Sequence, residues 1–135
     1  MIRFSELPSI TGGQIISQSN VRLVETIVTD SRKSIPSEGA VFFAMKGEHH
    51  DGHEFISEVY SRGIRQFVVE SLNHGSTLPD CNVLKVGSAL DAIQKLATFR
   101  RSSYDIPVIA VTGSNGKTII KEWLYQLLEK DYNIV

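Results

Sequence analysis

Gly113-Ser114-Asn115-Gly116-Lys117-Thr118 links an apolar run, VIAV at residues 108–111, to a segment whose apolar residues recur at helical spacing. These residue types suit phosphate chemistry. Glycines let the backbone approach a polyanion, successive N–H groups converge on its oxygens, and a helix N-terminus adds positive potential. Lys117 would neutralise charge on the β- and γ-phosphates of a nucleotide, and Thr118 would set its hydroxyl on the magnesium ion that bridges them. The full Walker pattern places a glycine where Val111 stands, so this is a shortened loop. The competing reading is an ordinary glycine turn followed by a surface lysine. A strand before the loop and a helix after it favour nucleotide binding.

A second group of candidates lies upstream. Asp30-Ser31-Arg32 supplies a carboxylate, a small hydroxyl and a guanidinium fork suited to phosphate, although the same residues could simply close a turn. Lys46-Gly47-Glu48-His49-His50 adds a point charge and two imidazoles, and Asp51-Gly52-His53 follows directly. Three neighbouring histidines suggest zinc. Yet there is no HExxH spacing and no partnering cysteine pair, so solvated loop histidines are expected here rather than a metal centre. Cys81 is the single cysteine, which excludes an intrachain disulfide, and no catalytic partner lies near it in sequence.

The elements that must position these residues alternate between strand-like and helix-like patterns, as in an α/β protein. VETIVTD (residues 24–30) and AVFFAM (residues 40–45) read as strands with turn chemistry between them. EFISEVYSRG then puts Phe55, Ile56, Val59 and Tyr60 on one helical face, with Gly63 suited to end it. RQFVVE and NVLKV are further strands. Ser88 can cap the helix ALDAIQKLATF, with Asp91 at the capping-box position and Ala89, Ile93, Leu96 and Ala97 facing the core. RRSSYDIP (residues 100–107) reads as a junction. VIAV is then a buried parallel strand, and Ile119, Ile120, Trp123, Leu124, Leu127 and Leu128 form the apolar stripe of the helix after the loop, with Trp123 expected in the core.

The whole chain, 135 residues with 41% apolar and 21% charged residues, suits one ordinary domain and argues against disorder. Its net charge of −1 gives no general attraction to nucleic acid or an acidic membrane surface, so any anion site must be local. The N-terminal residues lack the apolar core of a signal peptide, and no apolar run approaches spanning length. A cytoplasmic setting is expected.

TGSNGKT after a strand, with TDSRKSIPSEGAVFFAMKGEHHDGHEFI (residues 29–56) well upstream, resembles the Mur ligases, ATP-dependent amide-bond-forming enzymes of bacterial cell-wall synthesis. Within the family, Lys46-Gly47-Glu48, Asp51-Gly52-His53 and GKTIIKE (residues 116–122) are most similar to the branch that adds D-alanyl-D-alanine to UDP-N-acetylmuramoyl-tripeptide. The branch that adds the third amino acid usually has His-Gln-Ala where Glu48, His49 and His50 stand.

The resemblance implies an α/β fold: a small N-terminal substrate domain (residues 1–105), then the first strand, P-loop and helix of a P-loop ATPase domain (residues 106–135). It implies that Asp30, Ser31, Arg32, Lys46, Gly47, Glu48, His49 and His50 lie near the uridine and pyrophosphate of the UDP substrate. Gly113, Ser114, Asn115, Gly116, Lys117 and Thr118 would hold ATP, with Lys117 and Thr118 catalytic and Thr118 on Mg2+. The implied chemistry runs through an acyl phosphate, which the amine of D-alanyl-D-alanine resolves. Two alternatives stand beside this reading: another Mur-type ligase, and a non-catalytic nucleotide-binding module. As a fragment, the chain is expected to lack ligase activity, to bind ATP weakly at best, and to self-associate through residues 108–128, whose partner strands it does not encode.

Overall fold

A computed structural model describes residues 2–33, 37–48, 50–72 and 78–134. The chain divides into two compact units, Met1–Tyr104 and Asp105–Val135.

The first unit is built on a five-stranded sheet. Thr26–Val28 (β4), Ala40–Phe43 (β5), Gln66–Val69 (β6) and Asn82–Lys85 (β7) run parallel and adjacent in that order, and Gln14–Ser17 (β2) closes the far edge antiparallel to β7. β5 and β6 are buried along their whole length, as expected of parallel strands covered on both faces. Their alternation feeds two cores. Phe42, Phe67, Val69 and Val83 pack with Ile56 and Val59 of the helix Ile56–Ser61 (α2). Val41, Phe43, Val68 and Leu84 pack on the other face with Leu7 of Leu7–Thr11 (α1) and with Ala89, Ala92 and Leu96 of Ala89–Ser102 (α3). Phe42 and Phe67 meet edge to face with centroids 6.4 Å apart, a geometry worth about 0.5–1.5 kcal/mol beyond the area buried.

The strand expected over residues 24–30 divides in two. Leu23–Val24 (β3) pairs antiparallel with Ile2–Arg3 (β1) in a separate small sheet, while β4 joins the main one. The break falls at Glu25, where the N–H groups of Glu25 and Thr26 both donate to Gly39 O. α1 and β2 lie outside the elements expected from the sequence. In α3, Ser88 caps as expected, its Oγ accepting from Asp91 N at 3.2 Å. The Asp91 carboxylate pairs instead with Lys95, one turn on, at 2.8 Å. Ala97, expected in the core, is exposed, and Ala92 takes its place because the buried stripe runs through positions 89, 92 and 96.

Among its described residues the second unit carries one helix, Lys117–Leu128 (α4). Two expectations are corrected here. Residues 108–111 form no strand, because a strand exists only through its ladder and no described strand pairs with them. Trp123 is 63% exposed rather than core, together with Ile119, Ile120 and Leu127, because its own unit offers no sheet to receive the stripe.

Candidate functional site at the carboxyl edge of the sheet

Parallel pairing of β4 with β5, in the register Val28↔Phe42, sends the chain out of both strands at the same edge. The carboxyl edge of a parallel sheet is the usual place for a ligand. Residues 29–33 leave β4 there and residues 44–51 leave β5 there, so the two upstream motif blocks meet on neighbouring strands.

The first block is a 3-10 turn, Ser31–Lys33. Asp30 Oδ1 accepts from Arg32 N and from Arg32 Nε, each at 3.0 Å, and Asp30 Oδ2 accepts from Arg32 Nη2 at 3.0 Å. The carboxylate therefore both closes the turn and holds the guanidinium in a two-pronged grip. The Arg32 side chain remains 85% exposed, and its bonds to Asp30 raise its pKa above the ordinary value. It presents a fixed, permanently charged fork to solvent. Ser31 is buried, and its carbonyl accepts from Arg62 Nη1 at 2.7 Å, which pins the turn to the end of α2.

The second block is a short hairpin. Lys46 and Asp51 form an antiparallel bridge, Gly47 N donates to His50 O at 2.8 Å, and Gly52 N donates to Met45 O at 2.8 Å. Lys46, Gly47, Glu48 and His50 are exposed along it; His49 lies outside the described residues. Gly52 is required by close approach: a Cβ there would stand 2.8 Å from both the N and the O of Met45.

His53 corrects an expectation. It is not a solvated loop histidine but a buried one, 1% exposed. Nδ1 lies 2.6 Å from Asp51 Oδ1, and Nε2 accepts from Glu70 N at 2.9 Å and Ser71 N at 3.3 Å. The hydrogen bonds from the His53 backbone N–H and ring hold the Asp51 carboxyl below its usual range. Glu70 passes the connection on, its Oε1 accepting from Ala89 N at 2.7 Å at the start of α3. Sequence reasoning did not assign His53, Glu70 or Arg62 these roles. A signal for His53 was present in Asp51-Gly52-His53, since an aspartate two residues before a histidine can accept both its N–H and its ring proton. Among the described residues, no group of three or more metal-ligating side chains could hold a metal ion.

Gly113–Thr118 belong to the second unit. Gly116 has φ +78° and opens α4 without a side-chain cap, and Gly113 has φ +150°, so both occupy backbone conformations that favour glycine. The first-turn N–H groups of α4 thus have no capping side chain, which fits an anion at that terminus. Lys117 Nζ donates to Gly113 O across the loop, and Lys117 and Thr118 line an open depression of about 290 Å³ with Ile109, Val111 and Lys121. The residues present therefore fit a phosphate group. Cys81 is fully buried, and burial pushes its thiol up, away from the reactive thiolate.

A family model described as the Mur ligase family, catalytic domain, matches residues 23–101, more than half of the chain, and ends before Gly113. Among curated proteins, the chain is 35% identical over 131 residues to the UDP-N-acetylmuramoyl-tripeptide--D-alanyl-D-alanine ligase of Haemophilus influenzae, covering 96% of this chain and 27% of that protein. It is 34% identical over 109 residues to the UDP-N-acetylmuramoyl-L-alanyl-D-glutamate--2,6-diaminopimelate ligase of Cytophaga hutchinsonii, covering 79% and 22%. Among solved structures, MurF ligase from Thermotoga maritima in complex with ADP matches with a TM-score of 0.67 at 34% identity, covering 83% of this chain and 25% of that one. The chain spans about a quarter of the length of these relatives. A family match across most of the first unit, together with its parallel sheet, places this chain in the Mur ligase family.

Proposed function

We propose that the chain works as part of an ATP-dependent ligase that joins D-alanyl-D-alanine to UDP-N-acetylmuramoyl-tripeptide in the cytoplasm during peptidoglycan synthesis. Residues 1–105 would take the UDP end of the substrate, and residues 106–135 would begin the ATP-binding domain. The observation that carries this reading is the meeting of the two upstream blocks at one sheet edge, where Arg32 and Lys46 lie exposed on adjacent loops. A guanidinium fork and an ammonium on neighbouring loops suit a pyrophosphate. Asp30 acts by orienting Arg32, Ser31 by shaping the turn, and Gly47, Glu48 and His50 by lining the hairpin next to the ligand; a part for His49, outside the described residues, rests on the sequence resemblance alone.

Gly113, Ser114, Asn115 and Gly116 would give backbone N–H groups to ATP, Lys117 its charge to the β- and γ-phosphates, and Thr118 its hydroxyl to Mg2+. In this reading the substrate carboxylate takes the γ-phosphoryl group of ATP, and the amine of D-alanyl-D-alanine then displaces phosphate to form the amide. The chain's own residues contribute positioning and charge. A MurF structure solved with ADP supports the nucleotide.

A second reading, a ligase adding the third amino acid, is favoured by the likeness to diaminopimelate ligases at 34% identity. The longer coverage by a D-alanyl-D-alanine ligase and the sequence Glu48-His49-His50 favour the first. Assay of a full-length ligase carrying this chain decides: phosphate release with UDP-N-acetylmuramoyl-tripeptide and D-alanyl-D-alanine supports the first reading, and release with the dipeptide substrate and diaminopimelate or lysine supports the second. Titration of the chain with UDP and ATP tests the non-catalytic alternative, a module that binds nucleotide without taking the UDP substrate. The exposed stripe of α4 also supports self-association of the chain.

A further inference from the structure

His53 is buried, takes no direct part in the proposed ligand contacts, and uses both ring nitrogens. Two backbone N–H groups point at Nε2, those of Glu70 and Ser71, so Nε2 acts as an acceptor and the ring proton sits on Nδ1, donated to Asp51. These N–H groups follow the last residue of β6, and the imidazole supplies the acceptor that buried donors require. On its other side the ring holds Asp51, which closes the hairpin against Lys46. One line of bonds thus runs from the hairpin through Asp51 and His53 to the end of β6, and through the Glu70 carboxylate to the first residue of α3. The hairpin's own ties to the fold are backbone bonds at its base, such as Gly52 N to Met45 O.

We propose that His53 is the positioning residue of the candidate UDP site: its neutral, Nδ1-protonated ring bridges the 46–51 hairpin to β6 and α3 and so fixes where Lys46 meets the ligand. The proposal rests on the reading that this hairpin binds the UDP end of the substrate. A ring that only filled space in the core would be replaceable by any side chain of similar volume. A bridge needs a donor on one side and an acceptor on the other, as neutral imidazole provides.

Two substitutions divide the bridge. His53→Asn keeps an N–H near Nδ1 for Asp51 and loses the acceptor for Glu70 and Ser71, whereas His53→Gln keeps an acceptor near Nε2 and loses the donor. The 135-residue chain is titrated with UDP by calorimetry, and amide exchange at Gly52 and Glu70 is followed by NMR, in the wild type, both variants, Lys46→Ala and the double variant Lys46→Ala/His53→Asn. Each single His53 variant is expected to weaken UDP about tenfold and to speed exchange at Gly52 at least tenfold relative to core amides of β5. In the Lys46→Ala background His53→Asn should cost less than a further twofold, because the group it positions is gone.

Additive losses, or exchange at Gly52 that rises only as much as in β5, would overturn the proposal and leave His53 as packing. If His53→Asn does not fold, Asp51→Ala, which removes the proton's acceptor at a partly exposed position, carries the same cycle. Failure of the wild type to bind UDP refutes the site reading on its own. Unchanged exchange at Gly52 in both His53 variants refutes the bridge whichever way the UDP titration falls.

Discussion

Replacing Gly52 by alanine tests the hairpin's attachment without touching any charged group. The new Cβ would lie 2.8 Å from Met45 N, 2.8 Å from Met45 O and 3.2 Å from Ala44 C, about half an ångström inside ordinary contact at the first two. All three are backbone atoms at the end of the buried strand β5, so no flexible side chain can move aside. Overpacking of this kind costs about 1–3 kcal/mol. Relief by moving the hairpin outward would stretch the bond from Gly52 N to Met45 O, worth about 1 kcal/mol. The stiffer unfolded chain returns about 0.4–1 kcal/mol, which leaves a net loss of about 1–3.5 kcal/mol. Gly87 is the control, since its added Cβ meets nothing within 4 Å and its φ is not positive. Gly87→Ala should be neutral or stabilising by up to about 1 kcal/mol. Urea unfolding should be followed by circular dichroism, because the single tryptophan lies in the other unit. A Gly52→Ala loss under about 1 kcal/mol, or one equal to that of Gly87→Ala, would refute the close-approach argument.

Three further outcomes are expected. Asp51 has its pKa lowered in the folded chain below its ordinary value of 3.8 by the hydrogen bonds from His53. Its contribution is therefore fully present above about pH 4 and lost as pH falls through the lower folded value, so stability should drop more between pH 5 and 3 in the wild type than in Asp51→Asn. Lys117→Ala should abolish turnover of a full-length ligase carrying this chain, measured as phosphate release, and turnover close to normal would remove Lys117 from the phosphoryl-transfer machinery. The exposed stripe Ile119, Ile120, Trp123 and Leu127 should make sedimentation of the chain concentration-dependent, and Trp123→Lys should restore a single slow species; a strictly monomeric wild type would contradict this.

Four strands of the main sheet were legible because they carry apolar runs between turn signals, though their parallel order was not, and Ser88 was legible because a capping serine precedes a helical period. Leu23–Val24 and Thr26–Val28 could not be separated by pattern, since Val24, Thr26, Ile27 and Val28 are all β-branched and only tertiary pairing assigns the two segments to different sheets. Residues 108–111 have the composition of a central strand, but composition cannot supply neighbours. Arg32 and Lys46 were visible as charges at turns. That Asp30 grips Arg32 is set by the local geometry of the turn, and the burial of His53 depends on groups brought together by folding, here the backbone N–H of Glu70 against a histidine earlier in the chain. A histidine beside two others in a polar stretch reads as exposed, and the apolar pair Phe55-Ile56 just after it was the weak counter-signal.

The loops after β4 and β5 are proposed to form one site for the diphosphate of a uridine nucleotide. Calorimetric titration of the 135-residue chain with UDP, alongside uridine and UMP, tests it most directly in the wild type, Arg32→Ala and Lys46→Ala. UDP is expected to bind more tightly than UMP and uridine weakest, and each substitution to cost UDP about tenfold while leaving uridine affinity nearly unchanged. Equal affinity for UDP and uridine, or UDP binding untouched by both substitutions, would contradict it.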